Sequence, residues 1–517
     1  MADLPATPPA EAPAAVVAPA PAASAPIYVD GPEYRYSVVG NTLLSRAEVE
    51  KALLSATTPK EAIDALNKAY ENAGYLLVII GGQVDNKLVA FTVLQGRILE
   101  LDAPEDVRPF LSGLMNRDDL KTNQLIRNSA MLEIYTGRQG MRPKATFSKA
   151  QEIGGTKLTV VEEAVPDAKP WSAGLAFNNL SGRFSSRYTV GGNVAVRPGG
   201  GLELTAGYTQ GIPGLTSDSS GSVYRSAVLG ASIVTPLGIY AVNFSKTEYQ
   251  IGPAGGIANP GGSTEYGGIT GQQLVFADPQ TRVAVTEGLT WYQNTQTVFE
   301  DFQIVDQRYA VATLGATYNQ TFVLWGQNSN FGGGVTLAKG LSPRTGSFLP
   351  PDPGVPDPHF LLIQANASAQ TTLPFGITAA ASVNAQMTDA VLPQAQQWIL
   401  GGFGNLSAWL PAVLIGDSGA LGRLVLTSPP FAWGAFTFSG GGYAEAGVSR
   451  LEQRGAGEPH TRGLGDVGLT LSAGTTTGTS LTLTYGFPVW YRNVEGAIRD
   501  SADRNRAHLY FTLNQSF

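Results

Sequence analysis

The 517-residue chain contains no cysteine and only three histidines, His359, His460 and His508, which lie far apart in the sequence. Without cysteine it can form no disulfide, no thiolate metal site and no cysteine nucleophile. Histidines so few and so dispersed do not indicate a histidine-rich metal or acid–base centre. We therefore predict that the protein binds no metal.

Charge and long apolar runs are also scarce. Only 15% of the residues are charged, against about 25% in typical globular chains. The 34 basic and 41 acidic side chains give a net charge of −7, which offers no basic footprint for nucleic acid. The longest apolar run, Tyr75 to Ile80, is strand-sized, far short of the roughly 18 to 20 residues of a membrane-spanning helix. The scarcity of basic charge excludes nucleic acid as a partner. The lack of long apolar runs excludes a protein that crosses the membrane with helices, but it does not exclude a membrane β-barrel.

The charge that is present is unevenly distributed. Residues 1–32 contain eight prolines and three charged residues, a composition that favours an extended tether over a folded core. Residues 33–165 contain 33 charged residues, whereas the much longer segment 166–517 contains 39. We expect the first of these two segments to face water and the second to face a different solvent.

Helix signals are concentrated in the charged segment. Ser45 and Glu48 stand in capping-box spacing, and Thr58 precedes a proline in the pattern of a helix N-terminus. Strand-like stretches flank this helix pair, in the order strand, helix, helix, strand, strand. A looser copy of the order follows, so we predict two tandem α+β domains at 33–97 and 98–165.

Segment 166–517 instead alternates apolar and small polar residues with a period of two, as in "GLELTAGY" and "TSLTLTYGF". A soluble sandwich or propeller also alternates, but it would carry charge on its solvent face. Low charge with alternation is typical of an outer-membrane barrel, and about 22 residues per strand and turn gives roughly sixteen antiparallel strands. The last strand ends at Phe517, an aromatic terminus that resembles the C-terminal signal of bacterial barrels.

This layout resembles the two-partner secretion transporters, whose N-terminal modules are called POTRA domains. The stretches "YRYSVVGNTLLSRAEVEKAL", "AYENAGYLLVI" and "LVAFTVLQGRILEL" are similar to the first POTRA domain. "YTGRQGMRPKATF" resembles the second domain, and "FNNLSGRFSSRYTVGGNV" resembles the start of the barrel. The resemblance implies a sixteen-stranded transmembrane barrel at 166–517 that follows two POTRA domains.

The same resemblance implies a function. Transporters of this family capture a large, mostly β-helical exoprotein in the periplasm and pass it through the barrel across the outer membrane of a Gram-negative bacterium. Outer-membrane lipid and, during biogenesis, the barrel assembly machinery are the other implied partners. An outer-membrane protein insertase of the same superfamily is the alternative. Family members often begin with a plug helix, which the prolines of residues 1–32 disfavour because an interior proline costs about 3 kcal/mol.

Two candidate sites follow from the resemblance. The client can add a strand to an exposed sheet edge, for which we name Tyr75, Leu77 and Ile79; a groove beside the Thr58-capped helix is the other place for it. The family also folds a loop into the barrel and anchors it with an arginine on a wall carboxylate. The matching loop and wall positions are Gly401, Gly402, Phe403, Ser407, Trp409, Asp417, Arg423 and Glu445.

This chain departs from the family at Ser407, which stands where the arginine is expected. A serine cannot form the charge-assisted pair that an arginine would make with Glu445. Either Glu445 takes another cation, with Arg423 the candidate, or Phe403 and Trp409 hold the tip of the loop by packing.

Three motifs imitate other chemistry. Gly402, Gly404 and Ser407 imitate a dinucleotide loop but lack a strand–loop–helix context. "GDSG" at 416–419 imitates a serine-protease motif, but no histidine is placed to serve it. "PPDPGVPDPHF" offers too few ligands for a metal site and suits a rigid loop. We therefore predict no cofactor and no enzymatic activity.

Overall fold

The structure of the protein is a computed structural model that describes residues 25–152, 155–182, 186–215, 221–252, 259–299, 302–347, 356–453, 459–494, 496 and 509–517, with backbone only for 342–347. The described residues form two compact units. One contains residues 25–102, 114–122 and 147–159, and the other contains residues 103–113, 123–146 and those described from 160 onward. Most of the predicted tether, and with it the expected lack of a plug helix, lies outside the described residues.

The first unit contains a four-stranded sheet and two helices: β1 Ile27–Asp30, β2 Arg35–Val39, α1 Arg46–Leu53, α2 Pro59–Asn72, β3 Val78–Asp85 and β4 Leu88–Gln95. The strand order is β1-β2-β4-β3, with β2 and β4 parallel and the other neighbours antiparallel. Side chains from both helices and three of the strands form one core, which includes Tyr36, Leu53, Leu66, Tyr70 and Phe91. Strand β3 lies at an edge of this sheet.

Both helices begin where the sequence predicts. Ser45 accepts a hydrogen bond from the backbone of Glu48, whose side chain returns to the Ser45 backbone and completes a capping box. Thr58 accepts a hydrogen bond from the backbone of Glu61. The Thr57 hydroxyl donates to the Glu61 carboxylate over 2.7 Å, and this bond lowers the pKa of Glu61. These caps satisfy backbone groups that a helix start leaves unpaired.

The predicted end of the tether at residue 32 is wrong. Strand β1 pairs with β2 from Ile27 to Asp30, and the Val29 side chain is only 4% exposed within the core. Ile, Tyr and Val favour strands, so these residues join the sheet despite the Ala- and Pro-rich composition before them.

The next elements repeat the order of the first sheet: β5 Arg97–Asp102, α3 Arg108–Leu111, α4 Thr122–Arg138, β6 Met141–Lys149 and β7 Gly155–Ala164. The strands form a sheet in the order β5-β7-β6, with β5 parallel to β7. The division between the compact units runs through this group of elements. The domain limits at 33–97 and 98–165 therefore stay predictions.

The remaining chain forms a closed antiparallel barrel of sixteen strands, as predicted. Its strands are β8 Trp171–Asn178, β9 Thr189–Gly199, β10 Leu202–Gly211, β11 Val223–Thr235, β12 Gly238–Gln250, β13 Gly261–Ala277, β14 Thr281–Val298, β15 Phe302–Leu324, β16 Gln327–Ser347, β17 Leu361–Thr372, β18 Thr378–Met387, β21 Ser418–Thr427, β23 Phe436–Arg450, β24 Thr461–Thr475, β25 Thr479–Arg492 and β26 Leu509–Ser516. A short strand, β22 Phe431–Trp433, continues β21 along β23. Between β18 and β21 lies a hairpin of β19 Trp398–Leu400 and β20 Leu414–Gly416. The first strand, β8, pairs with the last, β26, and closes the barrel.

Alternation gives the barrel two chemically different faces. Trp291, Leu314 and Leu469 belong to the exposed apolar set on the outer face. Neighbouring positions such as Asn294 and Asp466 point to the inner face and are buried there. Phe517 lies just beyond β26, where its backbone N–H donates to the Ala173 carbonyl. None of the helices in the described part of the chain is long and apolar enough to cross a membrane.

Within the second unit, Arg138 in the last turn of α4 is bound to the barrel. Its guanidinium donates to the carbonyls of Gly201 and Ser232 over 2.7 and 2.9 Å and lies 3.8 Å from the Glu203 carboxylate. Burial lowers the pKa of Arg138. A partly buried arginine with these partners fixes the end of α4 against the turn between β9 and β10 and against strand β11.

Deletion of residues 2–24 should leave the first sheet intact because β1 starts at Ile27. Deletion of residues 2–32 should remove β1 and the buried Val29 side chain, a loss of about 2 kcal/mol. In the full chain in detergent, backbone hydrogen exchange of β2 should then accelerate only in the longer deletion. Equal exchange in the two deletions would contradict the role of β1.

Candidate functional site

A hairpin that precedes β21 carries the candidate loop. Strands β19 and β20 pair from Trp398–Gly416 to Leu400–Leu414, and residues 401–413 form the tip between them. Gly401 and Gly402 turn the chain with φ of +106° and +104°. A Cβ on Gly401 would lie 2.1 Å from the Leu410 carbonyl oxygen, so this turn requires glycine.

The tip packs against the inner face of the barrel. Leu424 and Leu469 point outward and are exposed, so the alternate positions Arg423 and Asp466 on the same strands point inward. Leu406 and Trp409 of the tip are buried with wall residues Leu421 and Leu464 in one apolar cluster. Phe403, in contrast, is 37% exposed and contacts only the ring of Tyr510 among the aromatic pairs of the described chain, at 5.9 Å. Packing of the tip thus depends on Trp409 and not on Phe403.

Three charged residues form a row across the inner wall. Arg423 on β21 is the register partner of Glu445 on β23, which is the partner of Asp466 on β24. Arg423 Nε lies 3.0 Å from Glu445 Oε1, but its N–H is not aligned with that oxygen, so the contact is an ion pair and not a hydrogen bond. Glu445 is 3% exposed and Asp466 is 1% exposed. The row therefore buries two carboxyl groups beside a single guanidinium.

The tip supplies the missing hydrogen-bond donors from its backbone. Ser407 N–H donates to Glu445 Oε2 over 2.9 Å, and its hydroxyl contacts the same oxygen at 3.3 Å. Ala408 N–H donates to Asp466 Oδ2 over 2.6 Å. The preceding residue, Leu406, has a φ of +68°, a conformation that bulky residues rarely adopt. This left-handed turn presents two consecutive N–H groups to neighbouring strands of the wall.

These contacts show which groups meet Glu445 in place of the arginine that the sequence resemblance led us to expect at position 407. Glu445 pairs with Arg423, as one of the two sequence-based alternatives expected, and the backbone of the tip takes the place of the absent side chain. Hydrogen bonds to charged groups contribute about 1.5 to 3 kcal/mol each. The Ser407 hydroxyl also accepts from Gly404 N–H over 2.9 Å, which ties the tip to itself. We name the contacts of Ser407 and Ala408 with Glu445 and Asp466 the tip latch.

Asp417 holds the root of the hairpin. It is 1% exposed, and its carboxylate accepts hydrogen bonds from the backbone of Leu392 over 2.8 Å and of Glu452 over 2.9 Å. The neighbouring Ser418 hydroxyl exchanges hydrogen bonds with the backbone of Thr388. The residues of "GDSG" thus hold three backbone segments together.

The predicted edge residues of the first sheet do not form one strand. Only Ile79 lies in β3, where its side chain is 65% exposed. Tyr75 pairs instead with Lys121 as an isolated bridge, and Leu77 precedes the strand and accepts from Gly96 N–H. The prediction of an edge strand from Tyr75 to Ile80 is therefore wrong at its start, because Tyr75 is engaged by another segment.

Sequence reasoning missed Asp466 and Gly486. Asp466 is a lone acid in "GLGDVG", and only the register of β23 with β24 places it beside Glu445. Gly486 on β25 leaves room for the tip, since a Cβ there would lie 2.7 Å from Ala408 N. Gly447 does the same for Leu400, at 2.9 Å. In the sequence, Gly447 and Gly486 are only small residues within alternating strands, so nothing there marks them as contacts of the hairpin.

The stretch "PPDPGVPDPHF" contains three possible metal ligands, Asp352, Asp357 and His359. Asp357 and His359 are in contact at 3.5 Å and both are exposed, while Asp352 lies outside the described residues. No group of three or more His, Cys, Asp or Glu side chains in the described part of the chain could hold a metal ion.

Comparison with known proteins identifies the family. Residues 154–471 match the sequence profile of the haemolysin secretion/activation proteins ShlB/FhaC/HecB. The chain belongs to this family. It is an outer-membrane β-barrel of the two-partner secretion type, as the sequence resemblance predicted.

Solved structures agree with this fold. The chain is similar to CdiB from Escherichia coli, with a TM-score of 0.74 and 15% identity over 98% of this chain and 92% of that one. CdiB from Acinetobacter baumannii gives a TM-score of 0.68 and 13% identity over 96% and 90%. No curated protein sequence matches the chain.

The Gly486→Leu variant should displace the tip, because its side chain would occupy the position of Ala408. With the tip latch broken, we expect a higher single-channel conductance in planar bilayers. Gly440→Leu is the matched control, since the nearest atom to a Cβ at Gly440 is the Thr470 oxygen at 4.0 Å. An unchanged conductance in a folded Gly486→Leu barrel would contradict the placement of the tip.

Proposed function

We propose that this family member captures an unfolded exoprotein through its N-terminal domains in the periplasm and secretes it through the barrel. The tip latch is the observation that supports this proposal. It fills part of the interior with a hairpin that is joined to the wall by a few hydrogen bonds and one apolar cluster. A tip held in this way can leave the interior without unfolding the barrel.

The polar interior beside the tip is compatible with passage of a polypeptide. A cavity of about 670 Å³ is lined by polar and small side chains that include Arg282, Asn319, Ser382 and Arg423. An extended chain exposes backbone N–H and C=O groups that need hydrogen-bonding partners. Such a lining, with water, can supply those partners without binding one sequence tightly.

Capture is proposed at the edge strand β3. Its outer face pairs the exposed Ile79 with the exposed Leu94 of β4. An extended client strand can add to such an edge through backbone hydrogen bonds, while apolar pockets select its side chains. The groove beside α2 remains the second place for capture.

We further propose that the client is a large, mostly β-helical protein that folds outside the cell. No ATP is available in the periplasm, so folding beyond the membrane would give secretion its direction. We also propose outer-membrane lipid and, during biogenesis, the barrel assembly machinery as partners of this protein.

Deletion of the coding gene should remove one large protein from the culture supernatant and leave the outer-membrane proteome unchanged. Mass spectrometry of both fractions tests this expectation, with the gene restored in trans as the control. A general loss of outer-membrane proteins would favour an insertase instead.

The double variant Ile79→Ser and Leu94→Ser should reduce secretion, because it removes the apolar surface beside the proposed capture edge. Leu54→Ser is the matched control, since Leu54 is 62% exposed at the end of α1. Client in the supernatant is measured against the amount of folded barrel. Equal secretion by the double variant and the control would exclude capture on this face.

A further inference from the structure

Glu287 on β14 points out of the barrel. Trp291 and Leu289 follow it at intervals of two residues, so they share its face, and its register partner on β15 is the exposed Leu314. The alternate residue Asn294 points inward and is buried. The Glu287 carboxyl group is exposed on the outer face, which is the face that meets lipid.

This glutamate lies near the middle of the apolar band. Six residues above it, Gln293 pairs with Glu265, which forms an ion pair with Lys246 over 3.0 Å and marks one polar boundary. Six residues below it, β14 begins at Thr281, next to a short turn. With a rise of about 3.3 Å per residue and a strand tilt near 40°, each distance is roughly 15 Å, so Glu287 is central in a band about 25 Å tall.

Two polar groups on neighbouring strands accompany it. Gln273 Nε2 on β13 lies 3.3 Å from Glu287 Oε1 and 3.4 Å from the Tyr240 hydroxyl on β12. Gly271 makes the notch in which they meet, because a Cβ there would be 2.7 Å from Glu287 Oε1 and 3.2 Å from the Tyr240 ring. We name Tyr240, Gln273 and Glu287 the outer polar cluster.

A polar group at this depth indicates a protein partner. Burial of a carboxyl group in hydrocarbon is costly, and ionisable residues within membranes mark functional contacts. Lipid headgroups lie at the surface of the bilayer and do not reach its middle. Beyond the Gln273 amide of the same chain, a further hydrogen-bonding group at this point has to come from another membrane-embedded protein.

The cluster is complementary to itself. Gln273 donates its amide N–H groups within the chain, to Glu287 Oε1 and to the Tyr240 oxygen. The second carboxyl oxygen of Glu287 and the Tyr240 O–H remain as an acceptor and a donor, which two copies related by a two-fold axis can exchange. Gly267 and Gly271 on β13 lack side chains on this face, and Ala312 on β15 is small. Small residues let two membrane surfaces approach closely.

We propose that the outer wall formed by β12, β13 and β14 is a dimer interface that binds a second copy of this chain through the outer polar cluster. Glu287 of each copy accepts a hydrogen bond from the Tyr240 hydroxyl of the other. The interface is separate from the tip latch and from the edge strand β3, so it does not depend on the secretion mechanism.

Crosslinking tests the proposal directly, because a chain without cysteine allows single-cysteine variants. Ile269→Cys lies on the outer face of β13, where Ile269 is 53% exposed, two residues from Gly271. Leu469→Cys is the matched control on β24, eight strands away around the barrel and 63% exposed. A short bismaleimide added to native outer membranes should give a homodimer at Ile269→Cys and none at Leu469→Cys.

Variants of the outer polar cluster test whether this cluster holds the two copies together. In the Ile269→Cys background, Glu287→Leu with Gln273→Leu should abolish the crosslink, whereas Glu287→Gln should retain it because an amide still forms hydrogen bonds. Heat-dependent gel mobility establishes that each barrel is folded. The proposal is overturned by no dimer at Ile269→Cys, by equal crosslinking at both positions, by a product of another mass, or by a dimer that persists in the double leucine variant.

Discussion

The hydrogen bonds from two consecutive backbone N–H groups to two buried carboxyl groups determine how this barrel is filled. Glu445 and Asp466 lie on adjacent strands beside one arginine, so the wall needs further donors in a place from which most water is excluded. Ser407 and Ala408 provide them. The position of the hairpin, the strained turn at Leu406 and the glycine at Gly486 all follow from that requirement.

Backbone donors change the character of the anchor. An arginine side chain would be long and flexible, and a lysine in its place could not form the same pair of parallel hydrogen bonds to a carboxylate. The N–H groups of the tip are instead fixed by the turn that carries them, so their geometry depends on Leu406 and on the three glycines before it, Gly401, Gly402 and Gly404. The anchor that the sequence resemblance led us to expect from one arginine side chain is here distributed over the local fold of a loop.

Much of the architecture could be predicted from the sequence because it depends on local patterns. Helix starts at Ser45 and Thr58 follow from side chains within four residues, and the sixteen strands follow from alternation and low charge. What could not be predicted depends on register. Asp466 becomes a partner of Glu445 only when β24 is aligned with β23, and Tyr75 leaves the edge strand because Lys121, far along the chain, pairs with it. The strand at Ile27 was missed because composition averaged over 32 residues concealed three strand-favouring residues, Ile27, Tyr28 and Val29.

Asp417 sets the size of the part of the loop that can move. Its carboxylate joins the backbone before the hairpin, at Leu392, to the backbone after β23, at Glu452, and β19 is paired with β20 just above it. The base of the hairpin is thus fixed to the barrel by hydrogen bonds, and only the tip beyond it can move separately. If the hydrogen bonds to Glu445 and Asp466 break, residues 401–413 can move away from the wall while the strands of the barrel keep their registers.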